Sequence, residues 1–207
     1  MNDYFNNLNK KYLHPNINKL EEYAKEHNVP IVMKDSLFLI LELLSMVKPK
    51  RILEIGTAIG YSSICMAYHS GAIIDTIERN EEMYNIATQN IKEFGFSDKI
   101  NIHFNDALLI DNSELTTYDL IFIDAAKAQN IKFFEKYSPL LNDSGIIVTD
   151  NLLFHGAMED LEGQSKNVRK MVEKIDAYNK YLEALNDYES IFINIGDGIS
   201  ITRKVNR

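Results

Sequence analysis

The chain has 207 residues, 45% hydrophobic and 25% charged, a composition that suits one globular domain with a full-sized core. Its formal net charge of −8 disfavours a nonspecific nucleic-acid binder, because such a protein needs a basic surface to displace counterions. The single cysteine, Cys65, excludes an internal disulfide and any CxxC metal site. No apolar run is long enough for a membrane span or a signal core, so we expect a cytoplasmic protein.

Helical and strand patterns follow one another along the chain. Helical spacing marks residues 16–28 and 33–47, and the second segment is apolar enough to be largely buried. Beyond them, strands are predicted at 51–56, 72–78, 100–106, 118–124 and 144–151, with helices at 61–70, 80–95 and 128–141 between them. A charged helix near 165–185 precedes two further strands, 188–195 and 198–204, which meet at a Gly-Asp-Gly turn, 196–198.

This alternation predicts an α/β fold with an open, mostly parallel sheet of seven strands and helices on both faces. The Gly-Asp-Gly connection is too short for a parallel crossover, so the strands that it joins must be antiparallel. We therefore expect a reversed strand at the C-terminal end.

The first strand-to-helix turn reads "EIGTAIGYSS" and lacks part of a dinucleotide-binding fingerprint. Ala58 and Tyr61 occupy positions where G-x-G-x-x-G requires glycine, so the backbone cannot easily approach a diphosphate. Gly56 gives room and Gly60 permits the tight turn, while the N–H groups at the helix start suit a carboxylate. Taken alone, these glycines also fit an ordinary tight turn.

Acidic residues follow the next two strands. Glu78 lies where a carboxylate accepts hydrogen bonds from ribose hydroxyls, and Asn105 with Asp106 ends the third strand near an expected adenine edge. The alternative for Glu78 is a strand-end residue that faces solvent. A nucleoside with a carboxylate tail and no phosphates describes S-adenosylmethionine (SAM), which the three strand ends together favour.

Two neighbouring strands end in oxygen-bearing side chains: Asp124 after one, Asp150 and Asn151 after the next. Two carboxylates and an amide suit Mg²⁺, Mn²⁺ or Ca²⁺ rather than Zn²⁺, although each Asp also fits a helix cap. Lys127 follows three residues after Asp124 and is either a catalytic base over the same pocket or a solvated surface lysine.

Six motifs together resemble the cation-dependent O-methyltransferases of the catechol and caffeoyl-CoA type. They are "ILEIGTAIGYSS", "TIERN", "NDA", "FIDAAK", "VTDN" and "GDG", and the resemblance runs from about residue 28 to 203. It implies a Rossmann-like class I SAM-dependent methyltransferase fold and a homodimer. It also implies a single domain, 1–207, in which N-terminal helices, 1–47, pack over the active site of a SAM-binding core, 48–207.

The resemblance also implies a role for each matching residue. The metal would be held by Asp124, Asp150 and Asn151, and Lys127 matches the lysine proposed as base in the catechol branch. The methyl-donor site would comprise Met33, Glu54, Gly56, Ser62, Glu78, Asp106, Ala107 and Asp124.

One departure from the family pattern bears on the substrate. The plant small-molecule branch reads D-A-D-K where this chain reads "DAAK", with Ala126 in the third place. The segments "HNVPIVMKDS" and "DNLLFHG" are more similar to the bacterial branch that methylates 5-hydroxyuridine at the tRNA wobble position, giving 5-methoxyuridine. A small catechol-like phenol is the alternative substrate, and a non-catalytic SAM-binding partner protein is the alternative from another class.

An RNA substrate requires local positive charge and an aromatic surface for the target base. Tyr61 and Phe154 are the predicted stacking residues. Three basic clusters are candidates for the tRNA anticodon loop: Lys48, Lys50 and Arg51; Lys166, Arg169 and Lys170; and Arg203, Lys204 and Arg207. Each cluster taken alone also fits an ordinary solvated surface.

Overall fold

The predicted strands assemble into one seven-stranded sheet in the computed structural model, which describes residues 3–154, 156–158 and 161–205. The strands are β1 (Arg51–Ile55), β2 (Ile73–Glu78), β3 (Ile100–Phe104), β4 (Tyr118–Ile123), β5 (Leu141–Thr149), β6 (Tyr188–Ile193) and β7 (Ile199–Lys204). Their spatial order is β3-β2-β1-β4-β5-β7-β6, and β7 runs antiparallel to both neighbours. The predicted α/β fold with a reversed C-terminal strand is confirmed.

Helices cover both faces of this sheet. They are α1 (Asp3–Asn9), α2 (Asn18–His27), α3 (Lys34–Val47), α4 (Tyr61–Ser70), α5 (Glu81–Glu93), α6 (Asn130–Tyr137) and α7 (Lys166–Ala184). Alternate residues of β1 serve opposite faces: Ile52 packs with α3 and α4, and Leu53 packs with α6 and α7. Burial on both faces explains why the strands are almost continuously apolar.

The predicted helix at 128–141 is shorter in the structure. A 3-10 turn, Lys127–Gln129, precedes α6, which ends at Tyr137 before a second 3-10 turn, Ser138–Leu140. Pro139 lies at the start of this second turn and lacks the N–H that a continuing α-helix needs. The following strand therefore begins at Leu141, three residues before its predicted start.

Within the described ranges, no helix is both long enough and apolar enough to cross a membrane.

Candidate active site

A cavity of about 600 Å³ opens at the carboxyl ends of the parallel strands. This size lies within the usual range for small-molecule and cofactor sites. Of the predicted site residues, the cavity wall contains Met33, Gly56, Ser62, Glu78, Asp106, Ala107, Asp124, Lys127 and Asn151. Residues 30–33, between α2 and α3, form part of the wall, while the division of the chain into N-terminal helices and core stays a prediction.

Gly56 allows the first loop to pass close to the end of β4. Its φ is +105°, and a Cβ at this position would collide with the carbonyl oxygen of Asp124. Gly60 also has a positive φ, +83°, and forms the N-cap of α4. Gly56 thus gives room for the close approach, and Gly60 forms the tight turn before the helix, as the sequence predicts.

The acids after β2 and β3 are held by the backbone beside the cavity. Glu78 accepts hydrogen bonds from the N–H of Ala58 at 2.9 Å and of Asn80 at 2.8 Å. Asp106 accepts one from the N–H of Leu108 at 2.8 Å, and the Arg79 guanidinium lies 3.3 Å from its other oxygen. Each carboxylate keeps lone pairs for hydroxyl or amine donors of a ligand.

Glu54 lies behind the glycine loop and does not form part of the cavity wall. Its side chain is fully buried and accepts hydrogen bonds from Ser62 at 2.5 Å, from Thr76 at 2.6 Å and from Ser63. Burial is the main cause that raises the pKa of Glu54 to about 7, and the nearby Asp124 raises it further, against the three hydroxyls. These hydrogen bonds connect α4 and β2 to β1. Direct contact of Glu54 with a methyl donor stays a prediction.

The raised pKa of Glu54 predicts a pH-dependent stability. The folded protein binds a proton here more tightly than the unfolded chain, whose pKa is 4.5, so unfolding free energy falls as pH rises from 4.5 through 7. Between pH 5 and pH 8 the loss is about 2 to 3 kcal/mol. Urea unfolding of Glu54→Gln should lack this loss, whereas a Glu82→Gln control on exposed α5 should retain it. Equal pH profiles for wild type and Glu54→Gln would contradict this assignment.

The proposed metal ligands converge at the ends of β4 and β5, which pair in parallel up to Ile123 and Thr149. Asp124 and Asn151 lie in the cavity wall, and the Lys127 Nζ donates to Asp124 Oδ1 at 2.7 Å. Asp150 is fully buried, and burial together with the Asp124 carboxylate raises the pKa of Asp150 to about 6. Two acids are thus held close together with one ammonium group beside them.

Two residues that support the predicted metal ligands were not predicted from the sequence. Ser36, fully buried in α3, donates to Asp150 Oδ1 at 3.2 Å, and the Gly-Asp-Gly turn packs against Ser36 because Gly196 has no Cβ. In the same turn, the carboxylate of Asp197 accepts from the Asn151 amide at 3.4 Å. Gly-Asp-Gly was a visible signal for Asp197, whereas Ser36 has no distinctive local motif.

These residues fit a divalent cation. Asp150 Oδ2 is buried and has no hydrogen-bond partner among the described residues, which leaves one carboxylate oxygen without compensation. The described residues contain no group of three or more His, Cys, Asp and Glu side chains that could hold a metal ion, and the predicted ligand set is two carboxylates and one amide. Oxygen donors of this kind suit Mg²⁺, Mn²⁺ or Ca²⁺.

Two of the three basic clusters lie at the amino edge of the sheet, and the third lies on the cavity side. Arg51 begins β1 and pairs with Asp75 at 3.1 Å, on the amino edge opposite the cavity. Arg203 and Lys204, at the end of antiparallel β7, lie on that edge too, and Arg207 lies outside the described residues. Lys166, Arg169 and Lys170 begin α7, which packs against the Lys127–Gln129 turn of the cavity wall. Among the described residues of the three clusters, these are the ones placed to contact a ligand that enters the cavity.

The two predicted stacking residues differ in exposure. The Tyr61 side chain is only 1% exposed and its hydroxyl donates to Glu21 at 3.0 Å. A base cannot stack on so buried a ring, so this prediction is wrong for Tyr61. Phe154 is half-buried in the cavity wall and keeps the role as a prediction.

Several known proteins are similar to this chain in sequence and fold. A family model described as O-methyltransferase matches residues 9–205. Caffeoyl-CoA O-methyltransferase of Stellaria longipes is 30% identical over 175 residues, covering 79% of this chain and 71% of that protein. A Staphylococcus aureus protein provisionally assigned as a caffeoyl-CoA O-methyltransferase is 44% identical, with a TM-score of 0.92 over 98% of both chains. A Bacillus cereus O-methyltransferase crystallised with SAH is 24% identical and has the same fold, with a TM-score of 0.79 over 96% of both chains.

Proposed function

This chain belongs to the O-methyltransferase family and is a SAM-dependent O-methyltransferase; we propose that it uses a divalent cation to methylate 5-hydroxyuridine at the tRNA wobble position. The observation that carries the cation dependence is the convergence of Asp124, Asp150 and Asn151, with one buried oxygen of Asp150 uncompensated. The product is 5-methoxyuridine.

The residues of the cavity have different roles in this reaction. SAM, when bound, supplies an electrophilic methyl group, and Asp124, Asp150 and Asn151 would hold a cation that would lower the pKa of the substrate's hydroxyl. Glu78 and Asp106 orient the nucleoside of the methyl donor. As the neutral amine, Lys127 accepts the substrate's hydroxyl proton at Nζ, from a position beside Asp124.

The proposed substrate would present two neighbouring oxygens to a cation held by Asp124, Asp150 and Asn151. 5-Hydroxyuracil does so with a hydroxyl and a carbonyl on adjacent ring carbons, the same bidentate pattern that a catechol offers. Ala126 lies in the cavity wall and adds no carboxylate there, in contrast to the D-A-D-K pattern of the plant branch. The basic start of α7 on the cavity side also favours RNA over a small phenol.

A small catechol-like phenol is the second candidate, which the names of the caffeoyl-CoA relatives favour. The purified protein should transfer labelled methyl groups from SAM, with Mg²⁺ or Mn²⁺ present, to tRNA that carries 5-hydroxyuridine. It should do so faster than to free catechol. No transfer to this tRNA with either cation would refute the proposal, and faster catechol turnover would select the second candidate.

A homodimer is part of the same proposal, since the family resemblance implies one. The outer strand of the sheet, β6, exposes Ile191 and Phe192 to solvent. Sedimentation equilibrium measures the mass of the protein in solution directly. A monomer at micromolar concentration would contradict the proposed homodimer.

A further inference from the structure

The first three turns of α7 carry an unusual concentration of positive charge. Lys166, Lys170 and Lys174 follow one another at four-residue spacing, Arg169 lies beside them, and Glu173 is the one acid between residues 166 and 174. Like charges four residues apart on a helix repel, and cations near its first turn oppose the helix dipole. The free protein therefore loses helix stability to this arrangement, although its overall net charge is −8.

This basic stripe, defined as Lys166, Arg169, Lys170 and Lys174, is not neutralised within the part of the chain that the structure describes. All four side chains are exposed, and none forms an ion pair there; Arg169 donates its Nε to the carbonyl of Gln164 at 3.1 Å. The next acid along the helix, Asp176, pairs with Lys180 at 2.7 Å.

Three of the basic residues at the opposite edge are arranged differently. Arg51 has Asp75 as its partner, Arg203 has Glu189, and Lys204 has Asp143 together with the carbonyl of Leu141. These cations have local partners, whereas the basic stripe leaves four charges available to an external anion.

The stripe begins beside the cavity. Helix α7 packs against the Lys127–Gln129 turn, whose ends lie in the cavity wall. Met171, on the buried side of α7, belongs to the same apolar cluster as Ala125 and Phe154, which also line the cavity. From Lys166 to Lys174 the helix rises about 12 Å, a length that spans several phosphates of a nucleic-acid strand.

We propose that the basic stripe binds the phosphate backbone of the RNA whose target nucleotide enters the cavity. The inference rests on the proposed function and adds the surface that positions the substrate. Phosphate contacts of this kind fix the register of an RNA on a protein without reading its bases. Charge of the bound RNA also offsets the repulsion among the four cations, which the free protein leaves uncompensated.

The test measures binding of a fluorescently labelled anticodon stem-loop RNA by anisotropy at several salt concentrations. The variant Lys170→Glu/Lys174→Glu reverses two charges of the stripe. The matched control, Lys48→Glu/Lys50→Glu, makes the same charge change at two exposed positions on the amino edge. We expect the stripe variant to bind RNA at least about tenfold more weakly, with a salt slope smaller by about 1.4 to 1.8, while the control stays within about twofold.

Catechol methylation by each variant provides a separate readout of the folded site, and the stripe variant should retain the wild-type turnover. Lys174→Ala, at the far end of the stripe, should weaken RNA binding by about threefold without any charge reversal. Equal weakening in both double variants, or none in the stripe variant, would overturn the proposal.

The basic stripe and the proposed function can be refuted independently of each other. RNA methylation by wild type together with undiminished RNA binding by the stripe variant would refute the surface alone. RNA binding that depends on the stripe, with no methylation of tRNA that carries 5-hydroxyuridine, would refute the proposed substrate and leave the surface supported.

Discussion

Asp150→Asn is expected to abolish divalent-cation binding and methyl transfer while leaving the protein folded. The substitution keeps the shape of a fully buried side chain and the acceptor for the Ser36 hydroxyl, but removes one of two neighbouring negative charges. Cation affinity should fall by about 100-fold or more, since even indirect support of a metal site typically contributes 10- to 100-fold. The cation-free variant should unfold at the same temperature as wild type or above it, because it no longer buries a charge beside Asp124.

Two measurements check this outcome without relying on activity. Electron paramagnetic resonance measures the concentration of free Mn²⁺ and so gives the affinity of the protein for the cation. Thermal unfolding with and without Mg²⁺ measures how much the cation stabilises the fold. A cation at 100 times its Kd stabilises the wild type by about 2.7 kcal/mol, and Asp150→Asn should lose this gain. Asp143→Asn, which removes an exposed carboxylate on the amino edge, should keep it. Equal Mg²⁺ stabilisation of wild type and Asp150→Asn would contradict the ligand assignment.

Lys127→Met is expected to lower kcat by about 10²- to 10⁴-fold, the usual contribution of a positioned general base. The ammonium lies 2.7 Å from Asp124 Oδ1, so it also shares this carboxylate with any bound cation. Its removal should therefore leave cation affinity unchanged or raise it, because a competing positive charge is lost. The KM for SAM should stay within a few-fold of the wild-type value, since Lys127 acts on the substrate's proton.

Steady-state kinetics and the Mn²⁺ titration distinguish a general base at Lys127 from a residue that contributes only its positive charge. Lys127→Arg keeps a positive charge, but arginine does not lose its proton at neutral pH and therefore cannot act as a base. Its kcat should be nearly as low as that of Lys127→Met. Lys132→Met, on neighbouring α6, is the control and should retain activity. If Lys127→Arg restored most of the wild-type kcat, the lysine would serve only as a charge.

The strand ends were predictable because two simple rules act on them. Near-continuous apolar runs predict strands buried on both faces, and parallel neighbours bring their carboxyl ends to one edge. Asp124, Asp150 and Asn151 follow two such runs, so their convergence is visible in the sequence before the structure. The position of Glu78 after the second strand follows in the same way.

Contacts between distant elements were not predictable in this way. The Ser36 hydroxyl reaches Asp150 across 114 residues of sequence, and no local pattern marks a serine in an apolar helix as a partner. Tyr61 begins a helix beside the glycine loop, but its packing beneath α2 and its bond to Glu21 follow from tertiary contacts alone. Glu54 did offer a signal: a glutamate within a strand buried on both faces must be buried itself and needs donors.

The most direct test of the proposed function is nucleoside mass spectrometry of tRNA from cells with and without the gene for this protein. The proposed function predicts that 5-methoxyuridine disappears from the deletion strain and 5-hydroxyuridine accumulates, and that a plasmid copy with Asp150→Asn does not reverse the change. Unchanged 5-methoxyuridine in the deletion strain would contradict it.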